Sequence, residues 1–125
     1  MNRIEEALLR RVLKPTVAAD IPGHLRLRFP LYKKLPEAVK PYLHYIGPAM
    51  QLLSGVQGAE YNPVTGTLLI RYDPKVTGKR QIFEWIRVLT DEGIRGVDDR
   101  SLYLMNEKQI VETIKARLMA QLPQI

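Results

Sequence analysis

The chain predicts an α+β fold: a ferredoxin-like βαββαβ antiparallel sheet with extra N- and C-terminal helices. Three patterns carry this expectation. His24-Leu-Arg-Leu-Arg-Phe29 alternates, with Leu25, Leu27 and Phe29 on one face and His24, Arg26 and Arg28 on the other. Period two with one apolar face marks a half-buried strand. Residues 54–74, SGVQGAEYNPVTGTLLIRYDP, read as two strands joined through Asn62-Pro63-Val64-Thr65-Gly66. There proline fixes φ and glycine accepts a positive φ, so the stretch is a hairpin. Beyond it, Ile82, Trp85, Ile86 and Leu89 recur at helical spacing and form one buried stripe.

The elements follow in order. In Met1–Leu13, Ile4, Leu8 and Val12 fall four residues apart with Leu9 beside them, the pattern of a short amphipathic helix that Pro15 stops. Asp20-Ile-Pro22-Gly23 is a turn ahead of the first strand, and Pro30 ends that strand. Leu31–Pro36 is a loop carrying Lys33 and Lys34. Glu37–Leu53 has helical character, but Pro41 and Gly47-Pro48 divide it, because proline costs about 3 kcal/mol inside a helix and little in a first turn. Gly55 closes the second piece. In the hairpin, Ala59 and Tyr61 face inward and Glu60 outward; Leu68, Ile70 and Tyr72 alternate with Leu69 and Arg71. Thr77 is the expected N-cap of a helix over Lys79–Asp91, and Gly93 its C-cap. The fourth strand is expected in Ile94–Val97 or Ser101–Met105. Glu107–Leu122 should close the chain as a helix with Ile110, Val111, Ile114 and Leu118 on one side. The organisation is thus an N-terminal helical extension over 1–22, the sheet domain over 23–105, and a C-terminal helix over 106–125.

With 125 residues the chain fits one domain and can bury a core without staples. It has no run of 18 apolar residues, so no membrane-spanning helix is expected. Its N-terminus carries acids and arginines where a secretory signal needs an apolar core, which predicts a cytoplasmic protein, peripheral to a membrane only through a partner. The absence of cysteine removes thiolate catalysis and thiolate metal sites. The net charge of +6 is uneven: residues 1–56 hold nine Lys/Arg against four Asp/Glu, residues 57–125 ten against nine. A basic half favours anionic partners, although solubility accounts for so small a surplus more simply. No GxSxG, HExxH, P-loop or dinucleotide fingerprint occurs. Asp91-Glu92 and Asp98-Asp99 read as solvated acids at a helix end and a turn. An enzyme is therefore not expected.

Three segments carry a family resemblance. Gly23-His-Leu-Arg-Leu-Arg, Leu53-Ser-Gly-Val56 and Asn62–Asp73 resemble the first strand, the end of the first helix and the hairpin of the heavy-metal-associated domain. This is the small module of copper chaperones and heavy-metal P-type ATPases, and the likeness is to its cysteine-lacking branch. It spans Gly23 to about Val97. Members that carry metal hold a CxxC at the start of the first helix; here those positions fall near Val39 and Tyr42, which cannot bind a soft cation. The resemblance implies the fold and a setting. That setting is a regulatory or docking part in metal handling, with a membrane P-type ATPase or a metal-storage component as protein partner.

The candidate interaction residues are Arg26, Arg28 and Arg71, which share the open sheet face with His24, Glu60 and Leu69, together with Lys33 and Lys34. One alternative is a haem- or metal-binding module using His24 or His44, since a single histidine ligates haem iron in an apolar pocket. His44 is expected on the helix that covers the opposite sheet face, out of reach of His24. The other alternative is nucleic-acid binding by the basic sheet. It ranks lower because Phe29 and Tyr72 face the helices, leaving no exposed aromatic platform for bases. The two terminal helices each carry an apolar stripe that must be buried on the domain, in a homodimer or at a membrane surface. The small apolar face of the first puts the membrane last.

Overall fold

The computed structural model describes residues 1–122. Its elements are α1 (Arg3–Val12), β1 (Thr16–Ile21), β2 (His24–Arg28), a 3-10 turn (Tyr32–Lys34), a longer 3-10 segment (Glu37–Tyr45), α2 (Ile46–Met50), β3 (Val56–Asn62), β4 (Thr67–Tyr72), α3 (Lys79–Val97), a 3-10 turn (Arg100–Leu104) and α4 (Glu107–Met119). Residues 123–125 of the expected C-terminal segment lie outside the described residues.

The four strands form one antiparallel sheet in the order β1-β2-β4-β3. The α+β class and the hairpin stand as expected. The fourth strand does not. The position beside β2 is taken by β1, from the N-terminal side, and not by a strand after α3. The expected helical extension over 1–22 is thus a helix followed by an integral strand. After Asp91 the chain stays helical through Gly93 to Val97, because Glu92 and Ile94 are both buried there, at 2% and 6% exposure. Residues 100–104 form a 3-10 turn with Leu102 buried. Thr77 does not cap α3. Gly78 holds the N-cap position, and Thr77 is buried with its hydroxyl unpartnered.

One face of the sheet carries the core. Leu25, Leu27, Leu68, Ile70 and Tyr72 pack with Met50, Leu53, Ile82, Trp85, Ile86, Val88 and Leu118. Fully burying each large apolar side chain stabilises by about 1.5–3 kcal/mol. Trp85, wholly buried, also donates its indole N–H to the Ala49 carbonyl at 2.9 Å, tying α3 to α2. Gly47 lets α2 approach β3, since a Cβ there would stand 2.6 Å from the Ala59 carbonyl oxygen. α1 runs antiparallel beside α3: Arg10 pairs with Asp91 at 2.6 Å and the Met1 amine with Asp98 at 2.6 Å. Asp91 and Glu92 are therefore not solvated turn acids. Asp91 bridges two helices, and Glu92 is held between α3 and α4 by Arg95 at 2.9 Å and Gln121 at 2.8 Å.

Candidate docking face

The other face of the sheet is open. Side chains alternate across strands, so β2 sends His24, Arg26 and Arg28 outward while Leu25 and Leu27 are buried. The register then sets neighbours. His24 lies opposite Arg71, Arg26 opposite Leu69, and Arg28 opposite Thr67. On the far side of β4, Gly58 lies opposite Arg71 and Glu60 opposite Leu69. β1 adds Ile21 opposite His24 and Ala19 opposite Arg26. The predicted set of Arg26, Arg28, Arg71 and His24 is thus brought together on one surface, with Glu60 and Leu69 among it.

Arg71 does not stand free of the sheet. Its guanidinium lies over Gly58, where an added Cβ would come within 2.3 Å of Nη2. The missing side chain at Gly58 is what makes room for it. None of Arg26, Arg28 and Arg71 makes an ion pair among the described residues.

Lys33 and Lys34 sit at one end of this surface. Their 3-10 turn is moored to the β3–β4 hairpin by Tyr32, whose ring packs on Gly66 and whose hydroxyl donates to the Val64 carbonyl at 3.0 Å. Gly66 has φ +66°, the left-handed turn conformation, and the Phe29 amide donates to its carbonyl at 2.8 Å. Both lysines are exposed beside the end of β2.

His44 is placed differently from expectation. The residues around it form a 3-10 segment because Pro41 interrupts them, and this segment flanks β3 instead of covering the apolar sheet face. Leu43, His44 and Pro48 form one wall of an open groove of about 560 Å³, and Arg26, Glu60 and Leu69 the other. His44 therefore borders the open face, while His24 lies outside this groove. A second depression of about 410 Å³ joins His44 to Tyr32, Leu35, Leu43 and Tyr61. Burial, with the Tyr32 phenol adding, pushes the Tyr61 phenol above its ordinary value and keeps it neutral. Tyr45, its ring tilted 37° against that of His44 with centres 4.0 Å apart, hydrogen-bonds Glu107 of α4, and that bond raises the Tyr45 phenol.

Val39 is half-buried and Tyr42 exposed, and neither carries a ligand atom suited to a soft cation. No three His, Asp or Glu side chains converge on a metal position among the described residues. No helix among them is long and apolar enough to cross a membrane. Comparison with known proteins brings no match, whether with a family model, a curated protein or a solved structure.

Proposed function

We propose that this chain is a non-enzymatic docking domain that holds an acidic segment of a partner protein on its open sheet face. The observation behind this is the joint exposure of Arg26, Arg28 and Arg71, none ion-paired among the described residues, beside the groove that ends at His44. Guanidinium groups recognise carboxylates through paired donors, and a fixed row of them selects for spaced acids. Leu69 and Ile21 add apolar contact between the charges. The resemblance of residues 23 to 97 to the heavy-metal-associated domain supplies the setting: the partner is a membrane cation pump or a metal-storage component, and the contact is regulatory. In the same proposal, the sheet is a ferredoxin-like arrangement in which the N-terminal strand stands where the last strand would.

Binding of poly-glutamate, read by fluorescence anisotropy against salt, tests this. Replacing Arg26, Arg28 and Arg71 together with glutamate should weaken binding at least a hundredfold, since each lost charge-assisted contact is worth about 1.5–3 kcal/mol. Circular dichroism should be unchanged, because all three side chains are exposed. Unaltered affinity would remove the sheet face from the proposal. A single-stranded oligonucleotide that binds more tightly than poly-glutamate at the same salt would transfer the face to nucleic acid.

A further inference from the structure

α1 buries only Val12. Its two other stripe residues remain in solvent, Ile4 at 73% and Leu8 at 58% exposure. At about 100° per residue, these two share one arc of the helix with Ala7, Arg3 and Arg11, and Lys14 follows just past its C-cap. The three cations are exposed, and none is in an ion pair among the described residues. The acids of the helix are engaged elsewhere. Glu5 accepts from the Asn2 side chain at 2.9 Å, and Glu6 pairs with Arg10 at 3.1 Å, which in turn reaches Asp91. What α1 turns outward is therefore a pair of large aliphatic side chains flanked by unneutralised positive charge.

We propose that α1 docks this protein on an anionic lipid surface. Ile4 and Leu8 enter the boundary between headgroups and acyl chains, and Arg3, Arg11 and Lys14 lie among the lipid phosphates. Charge decides between this occupant and the others. In an antiparallel pairing of α1 with a second copy, the flank bearing Arg3 and Arg11 would meet the same flank of its partner, setting like charges against each other. A nucleic-acid backbone would answer the cations but leave Ile4 and Leu8 in water. A lipid bilayer with acidic headgroups satisfies both.

Co-sedimentation of the full chain with phosphatidylcholine vesicles, with and without phosphatidylserine, tests the proposal. The protein should partition onto the phosphatidylserine vesicles at low salt and leave them as salt rises. Arg11→Gln should lower partitioning about fivefold, and Leu8→Ser about tenfold. Both positions are exposed, so an unchanged melting profile is expected of each variant. The glutamate substitutions at Arg26, Arg28 and Arg71 take the net charge from +6 to 0 and should weaken partitioning only through that general field, less per unit charge than Arg11→Gln does, which separates this site from the sheet face. Equal partitioning of the wild type with and without phosphatidylserine overturns the proposal, as does Leu8→Ser binding like wild type. A dimer seen by sedimentation equilibrium and abolished by Leu8→Ser would give the face to a second copy and overturn it too.

Discussion

Two glycines of one hairpin, Gly58 on β3 and Gly66 in the turn that follows, do opposite jobs, and the contrast yields a test. At Gly66 the backbone has φ +66°, and a Cβ would sit 2.3 Å from the Tyr32 ring. Alanine there would strain the turn and push the ring off the hairpin, at a cost of about 2 kcal/mol. At Gly58, beside the bulge in β3, φ is not positive, and the atoms a Cβ would meet are the far end of the Arg71 side chain, which can swing away. Gly58→Ala should therefore change stability by less than about 1 kcal/mol while displacing the guanidinium. Chemical denaturation and poly-glutamate binding, measured on both variants, separate the effects. Gly66→Ala should lower the unfolding midpoint, and Gly58→Ala should weaken binding with the midpoint nearly fixed. A Gly58→Ala protein that binds like wild type would show that Arg71 need not lie on the sheet to act.

β1 is the element on which the sheet's completeness depends. It covers the edge of β2 and ties to α3 through Asp20 and Lys79 at 3.4 Å. Removing residues 1–13 takes away α1, the burial of Val12 and the two ion pairs that this segment makes with the rest of the chain, and should leave a folded sheet. Removing residues 1–22 uncovers the whole edge of β2, whose unpaired N–H and C=O groups would template aggregation. Size-exclusion chromatography should find the first truncation monodisperse and the second aggregated; a monodisperse, cooperatively melting 23–125 would show that β1 is dispensable. This strand was the part of the fold hardest to read from the sequence, for a physical reason. Thr16–Ile21 is exposed throughout and bulged between Val17 and Ala19, so neither apolar alternation nor a clean period marks it. β2 and β4 each bury one face, and their alternation announces it; β3 half-buries Ala59 and Tyr61 on the same side and is read as the partner strand of the hairpin. Gly93 suggests a helix end with a strand beyond it, but Ile94 and Glu92 gain burial by continuing the helix. Arg26, Arg28 and Arg71 could be placed from period two alone. The approach of His44 to their groove could not, since it depends on how Pro41 and Gly47 steer a segment with no repeat of its own.

At the scale of the molecule, the two charged surfaces lie on different layers. The arginines of β2 and β4 occupy the open face of the sheet, while α1 lies beside α3 in the layer that covers the apolar face. Each surface is basic, so either alone could account for a polyanion's binding, and the net charge of +6 strengthens both at low salt. Their separation across the sheet makes a stronger demand: both should be occupied at once. Anionic vesicles loaded with wild-type protein should carry labelled poly-glutamate into the pellet. Leu8→Ser should still bind poly-glutamate in solution but fail to pellet it. The variant with glutamate at Arg26, Arg28 and Arg71 should pellet with vesicles and bring no poly-glutamate down. Effects at sites in different layers with no shared partner add, so combining both changes should lose each function to the extent of the single variants. If poly-glutamate instead releases the protein from vesicles in proportion to its binding, one basic surface serves both ligands. The division of labour between sheet and helix would then be wrong.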